Sequence, residues 1–250
     1  MRAGAALTLV AALLAPQTPL DTARADLQRR REALIRAYDL PAQRPRLDGY
    51  VHTIMRAFGN PATARQEPIG RLPFVADTRR EFLERTASFV AGRLGVRLSS
   101  LAVRFSRLPK GTAGRVKLVD DRATVDVADR HRDDDEEILT IVAHEFAHIL
   151  LEMPGSGVPG AEADDEDLAD ATVVMAGMGP LLLRASYREG ISVWGNKAEW
   201  NVRRTGSLNP VAIAYLTLVQ AEMAGLTSEA RRSLIGDWLE PAWSVRARVQ

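Results

Sequence analysis

Ile138 to Leu151, with the sequence ILTIVAHEFAHILL, is an apolar stretch without Gly or Pro that predicts one continuous helix. It contains the motif HEFAH at 144–148, which holds two of the four histidines in the chain. Residues four apart lie on one face of a helix, so His144 and His148 can bind one metal ion while Glu145 reaches water held beside it. The motif therefore predicts most of a zinc site, together with the general base of a hydrolase.

Two patterns can supply the third protein ligand that a hydrolytic zinc site with two histidines needs. In the metzincin pattern HExxHxxGxxH, the third ligand is a histidine six residues after the second one. Here Leu151 stands at the glycine position and Pro154 at the histidine position, which excludes this pattern. In the other pattern, a glutamate on the next helix completes the site.

An acidic segment downstream of the motif contains this second pattern. Glu166 to Asp170 reads E-x-x-A-D, and the two carboxylates share a helix face because they are four residues apart. We expect Glu166 to be the third ligand and Asp170 to accept the second N–H group of a ligating histidine, with His144 the first candidate. Glu162 is the alternative third ligand.

The chain resembles the gluzincin metallopeptidases, the thermolysin-like clan whose third zinc ligand is a glutamate, at five residues: His144, Glu145, His148, Glu166 and Asp170. The resemblance covers roughly residues 115 to 225. It implies a zinc-dependent endopeptidase with Glu145 as general base, peptides or proteins as substrates, and a sheet edge that receives an extended peptide. The alternative is a module that binds zinc and a partner protein without hydrolysis, but a structural zinc site would need no base at Glu145.

The sequence names no group that would stabilise an oxyanion. The possible donors, for each of which a core or surface role is favoured, are Tyr187, Tyr215, Arg184 and Arg188. We expect His52 and His131 to be ordinary polar residues because neither has a partner at metal-ligand spacing.

Composition limits the partners and the compartment. Of the 250 residues, 46% are hydrophobic and 26% charged, which suffices for one full core, alone or with a smaller helical region. The net charge is +1, and no basic stripe or Gly-rich phosphate loop is present, so no nucleic-acid partner is expected. The segment Asp133 to Asp170 carries 13 acidic residues and no Lys or Arg, a charge that would attract divalent metal ions and cationic substrate segments. The chain has no cysteine, which excludes disulfides and thiolate ligands.

The N-terminus has the layout of a secretory signal peptide, since Arg2 precedes the apolar run Ala5 to Ala15 and prolines follow it. This run has 11 residues, which are too few to span a membrane, since a span takes about 20. We therefore expect an exported protein, periplasmic, in the cell envelope or secreted, without a stable membrane span after processing. A tethered or cytoplasmic chain is the alternative.

The remaining pattern predicts a mostly helical α+β fold, with a small sheet packed on the zinc-bearing HEFAH helix and on the glutamate-bearing helix that follows it. Alternation between 101 and 127 predicts the strands of that sheet. Helical patterns cover 21–40, 47–58, 77–94, 163–183 and 210–223, with an exposed excursion at 184–209. The expected parts are an apolar segment or signal peptide at 1–19, a helical region at 20–95 and a zincin-like metallopeptidase domain at 96–250.

Overall fold

The computed structural model describes residues 19–58, 66–153, 156–158, 165–194, 197–204 and 206–236. Residues 1–18 of the expected signal peptide and the alternative ligand Glu162 lie outside these ranges. Its helices are, in chain order, α1 (Pro19–Ala37), α2 (Leu40–Phe58), α3 (Arg79–Leu94), α4 (Asp135–Glu152), α5 (Glu166–Val173), α6 (Gly179–Ser186), α7 (Pro210–Met223) and α8 (Ser228–Ile235). Its strands are β1 (Ser100–Ser106), β2 (Gly114–Val119), β3 (Arg122–Ala128), β4 (Tyr187–Trp194) and β5 (Lys197–Arg204). The prediction of a mostly helical α+β fold is confirmed.

Helix α2 begins at Leu40, earlier than the predicted start at residue 47, although it contains Pro41 and Pro45. Pro41 lies in the first turn, where a backbone N–H would have no partner inside the helix. Pro45 removes one hydrogen bond, but Leu40 and Leu47 are both buried and α2 packs against α5 and α7. The burial of these leucines therefore outweighs the tendency of the two prolines to interrupt a helix.

The three strands before α4 form a mixed sheet in the order β1–β3–β2. The central strand β3 runs parallel to β1 and antiparallel to β2. Its residues Ala123, Val125 and Val127 are buried, and β2 and β3 both pack against α4. In the described part of the chain, β2 pairs with β3 alone, so β2 is an edge strand beside the HEFAH helix.

Most of the buried apolar residues lie on helices α4 to α7. A π-helical turn, Val174–Met178, joins α5 to α6, and both pack against α4. Among the described residues, one helical stretch, Glu166–Ser186, is long and apolar enough to cross a membrane, but 94% of its 18-residue apolar window is buried inside the protein. The helical pattern predicted at 163–183 is therefore found from Glu166 onward, as a buried helical stretch.

The segment predicted as an exposed excursion contains β4 and β5, which form a two-stranded sheet. Helix α7 follows, starts at Pro210 as predicted, and is buried throughout Pro210 to Ala221. The described residues divide into two compact units. One contains α1 with residues 189–194 and 197–202, and the other contains everything else, including the whole site described next.

Candidate metal centre

Helix α4 places both histidines of the motif on one face. Asp134 caps its first turn by accepting a hydrogen bond from the Glu137 backbone N–H at 3.1 Å, which fixes where the helix begins. The His144 and His148 rings meet edge to face with centroids 4.8 Å apart, and their Nε2 atoms are 3.1 Å apart. The four-residue spacing therefore brings two imidazole nitrogen atoms to one point.

Glu166, the first residue of α5, brings the third donor. Its Oε2 lies 2.8 Å from His144 Nε2, and its Oε1 lies 3.8 Å from His148 Nε2. One donor atom from each of His144, His148 and Glu166 lies within 4.8 Å of the others, so this group can hold a metal ion. The side chain of Glu166 is 65% exposed, whereas those of His144 and His148 are 16% and 12% exposed, so the site opens on the glutamate side.

Asp170 lies one turn after Glu166 and is fully buried. Its Oδ1 is 2.9 Å from His144 Nδ1, which leaves His144 Nε2 facing the group of donors. Its Oδ2 accepts hydrogen bonds from the backbone N–H groups of Ser207 at 2.7 Å and Leu208 at 3.0 Å. The structure thus brings Glu166 and Asp170 to the positions that the sequence predicted relative to His144.

Glu145 is buried beside the edge strand. Its carboxylate accepts a hydrogen bond from the Val116 backbone N–H, and burial raises its pKa to about 7, with the charge of His144 opposing this rise and that of Glu166 adding to it. Gly114 allows this approach, because a Cβ at residue 114 would lie 2.9 Å from Glu145 Cγ and closer still to Glu145 Oε1. A carboxyl group with a pKa near neutrality can both accept and donate a proton at physiological pH.

The site carries more negative than positive charge. Burial alone would lower the pKa of His144, but the hydrogen bond that its Nδ1–H donates to Asp170 and the charges of Asp170, Glu166 and Glu145 raise it to about 9. Within the described ranges, no Lys or Arg side chain forms an ion pair with any of these three carboxylates. This excess of negative charge beside two imidazoles is an arrangement that could bind a metal cation.

A cleft of about 810 Å³ lies over these residues. Its walls come from β2 and the loop before it, from α4, and from the chain just before α7. The lining residues include Gly111, Thr112, Gly114, Arg115, Val116, Thr140, Ile141, Glu152, Gly206 and Ser207, together with the donors described above. Because the edge strand β2 forms part of its wall, an extended chain in the cleft could pair with the main chain of that strand.

The other polar candidates from the sequence lie elsewhere. His131 Nδ1 pairs with Glu137. Arg184 and Arg188 form ion pairs with acidic residues at the start of α4, and the buried Tyr215 donates its hydroxyl to Asp48 at 2.6 Å. Of the described residues among these candidates, none lines the cleft, and the structure assigns no oxyanion donor among them.

Sequence reasoning did not find the two backbone segments that hold the acidic residues of the site. Val116 contacts Glu145, and Ser207 and Leu208 contact Asp170, through N–H groups that every residue except proline carries. The only sequence signal was the presence of Gly114 and Gly206 next to them, in segments that otherwise read as an ordinary strand start and an exposed loop.

Comparison with known proteins adds no assignment: no protein-family model, no curated protein and no solved structure matches this chain.

Proposed function

We propose that the protein is a zinc-dependent endopeptidase of the gluzincin type. One observation carries the proposal: two imidazole nitrogens and a carboxylate oxygen converge within 4.8 Å, next to a buried glutamate in an open cleft. A structural metal site usually fills all four coordination positions with protein ligands and needs no base. Three convergent donors with Glu145 beside them favour a catalytic site instead.

Zinc fits this donor set. Two histidines and a glutamate are a familiar ligand set of catalytic zinc, which keeps its fourth position open. Tetrahedral ligands at about 2.0 Å from zinc lie about 3.3 Å from one another. His144 Nε2 lies 3.1 Å from His148 Nε2 and 2.8 Å from Glu166 Oε2, and the other oxygen of this carboxylate, Oε1, lies 3.8 Å from His148 Nε2. When bound, zinc acts as a Lewis acid that polarises a carbonyl group and lowers the pKa of water.

Glu145 supplies the proton transfers in this proposal. Its carboxylate takes a proton from the water that attacks the peptide carbonyl, and it then gives that proton to the departing amine. In the metal-free protein burial raises the pKa of Glu145 to about 7, which makes its carboxylate a stronger base than that of an exposed glutamate. Asp170 holds His144 in the tautomer that presents Nε2 to the metal.

The cleft supports a peptide or protein substrate. β2 runs along it, and Gly114, Arg115 and Val116 line it. An extended peptide can pair with the main chain of an edge strand, which gives affinity without demanding one sequence. Gly114 keeps this part of the strand close to Glu145, so a bound peptide would pass near the proposed base.

The first experiment compares wild type with Glu145→Gln and Glu152→Gln. Both glutamates lie on α4 and line the cleft, but only Glu145 is buried beside the metal ligands. We measure bound zinc by elemental analysis and hydrolysis of fluorescently labelled casein. We expect one zinc ion per chain in all three proteins, and a loss of about 10²- to 10⁴-fold in hydrolysis in Glu145→Gln alone.

The other outcomes separate the alternatives. Zinc without hydrolysis in the wild type would favour the alternative of a zinc-binding interaction module. Wild-type hydrolysis in Glu145→Gln would remove Glu145 as the base. A wild type that binds no zinc would overturn the proposal as a whole.

A further inference from the structure

The segment Gly206–Leu208, just before α7, is hydrogen-bonded to two aspartates of α5, Asp170 and Asp167. The Ser207 and Leu208 N–H groups bind Asp170 Oδ2, and the Ser207 hydroxyl donates to Asp167 Oδ1 at 2.5 Å. These two aspartates lie on α5, in the same helical turns as Glu166. The segment is thus attached to the helix that carries the third donor.

Burial makes Asp170 dependent on this segment. A buried carboxylate is costly unless its oxygens are hydrogen-bonded, and Asp170 is 0% exposed. His144 occupies Oδ1, and the described residues offer Oδ2 only the Ser207 and Leu208 N–H groups. Without these two N–H groups, the carboxylate would lose the bonds that fix its rotation, and with them the fixed acceptor for His144 Nδ1.

The backbone at Gly206 suits this contact. Its φ of +90° lies in the region that favours glycine, and a Cβ there would lie 3.0 Å from Asp170 Oδ2. A side chain at 206 would therefore strain the backbone and press on the oxygen that the next two N–H groups hold. Glycine allows the chain to turn its N–H groups onto Asp170 at this point.

We infer that Gly206–Leu208 is a positioning segment of the metal centre, and that its hydrogen bonds to Asp170 set the metal affinity through His144. This inference rests on the metal site of the proposed function but not on peptide hydrolysis. Coupling between two equilibria is reciprocal. If the hydrogen bonds from this segment to Asp170 raise metal affinity, then bound metal stabilises these hydrogen bonds by the same factor.

The chain offers a matched control in Gly225, which follows α7. Its φ of +79° is equally left-handed, but an added Cβ there meets nothing within 4 Å. Gly225→Ala thus introduces a comparable backbone strain away from Asp170. A comparison of Gly206→Ala with Gly225→Ala separates an effect on the metal centre from a loss of general stability.

The experiment measures zinc affinity by competition with a chromophoric chelator and the visible spectrum of the Co²⁺-substituted proteins. We expect Gly206→Ala to weaken zinc binding by about 10- to 100-fold and to alter the Co²⁺ bands, with Gly225→Ala within about twofold of wild type. In an Asp170→Asn background, Gly206→Ala should add little further loss, because the segment acts through that carboxylate. Equal affinities in the two alanine variants, or full additivity with Asp170→Asn, would overturn the inference.

Hydrogen exchange tests the same coupling in the unaltered protein, in case Gly206→Ala does not fold. Zinc should slow exchange of the Ser207 and Leu208 amides by at least about tenfold, by reciprocity with the effect on affinity. Unchanged exchange of these amides in zinc-loaded wild type would overturn the inference while leaving the proposed function in place. A wild type that binds no zinc would overturn both.

Discussion

Asp126 on β3 and Glu145 on α4 are both buried carboxylates, but their surroundings differ in charge. Asp126 accepts hydrogen bonds from Arg104 at 2.6 Å, Ser106 at 2.8 Å and Arg115 at 2.9 Å. Burial would raise its pKa, yet these groups, Arg104 foremost, hold it at about 2. Glu145 accepts a hydrogen bond from the Val116 backbone N–H and pairs with no arginine in the described part of the chain, and its pKa rises to about 7.

This difference separates a carboxylate that the fold holds ionised from one for which we propose a role in proton transfer. At Asp126 the fold provides two cations, and the ionised form stabilises the sheet. At the cleft, no Lys or Arg among the described residues pairs with Glu145, Glu166 or Asp170. The negative charges of these three carboxylates outnumber the positive charge of His144, and the excess opposes folding of the metal-free protein. The carboxylates at the cleft therefore keep negative charge that could bind a metal ion or accept a proton.

The largest expected effect concerns the donors themselves. His148→Ala should weaken zinc binding by more than the roughly 100-fold typical of residues that only support a ligand, because it removes one of three donors. His52→Ala is the matched control, since His52 is an exposed histidine on α2 and lies outside the cleft. Isothermal titration with zinc decides the matter, and wild-type affinity in His148→Ala would place the metal elsewhere.

The metal donors were predictable because most of their geometry is local. The HEFAH spacing fixes His144 and His148 on one helical face, and the spacing of four between Glu166 and Asp170 does the same on α5. The sequence did not itself show that α5 packs against α4, and in the structure the two helices are in contact. What no local pattern indicated is the second partner of Asp170, since Ser207 lies 37 residues away and binds through its backbone.

The cluster around Asp126 was missed for a related reason. Arg104 and Arg115 are both cross-strand neighbours of Asp126, but only because β3 lies between β1 and β2 with this register. The alternating sequence predicts strands without giving their order, and a parallel β1–β3 pair is not the simplest arrangement of three consecutive strands. The start of α2 was also not predictable from local pattern, because Leu40 is buried and the helix includes the two prolines that predicted a later start.

The second prediction is that two carboxylate-to-amide changes alter stability in opposite directions. The fold raises the pKa of Glu145 from 4.5 to about 7, so its ionisation costs stability, with the cost growing above pH 4.5 and complete above about pH 7. Glu145→Gln should therefore raise the free energy of unfolding of metal-free protein by about 3 kcal/mol at pH 8. The fold lowers the pKa of Asp126 from 3.8 to about 2, so its contribution is present above pH 3.8 and is lost as the pH falls through 2. Asp126→Asn should cost about 2 kcal/mol at pH 8.

Urea unfolding in the presence of a chelator measures both changes. The gain in Glu145→Gln should shrink to below about 1 kcal/mol at pH 5, where Glu145 in wild type is protonated. The loss in Asp126→Asn should be nearly the same at pH 5 and pH 8. If Glu145→Gln is less stable than wild type at pH 8, then other groups already balance the negative charge of Glu145 without metal. Asp126 and Glu145 would then not differ in the way proposed.

The smallest effect tests whether the Asp126 cluster is independent of the cleft. Arg104→Gln leaves Arg115 and Ser106 bound to Asp126, so the pKa of Asp126 should rise only part of the way to its ordinary value, and the acid-unfolding midpoint should move to higher pH. Since Arg104 lies on β1 and does not line the cleft, zinc affinity and casein hydrolysis should stay unchanged. Arg115 both binds Asp126 and lines the cleft, so Arg115→Gln should cause a similar shift in acid stability. If Arg104→Gln also lowers hydrolysis, then the position of β2 beside Glu145 depends on the ion pairs of Asp126 with Arg104 and Arg115. The Asp126 cluster and the cleft would then not be independent.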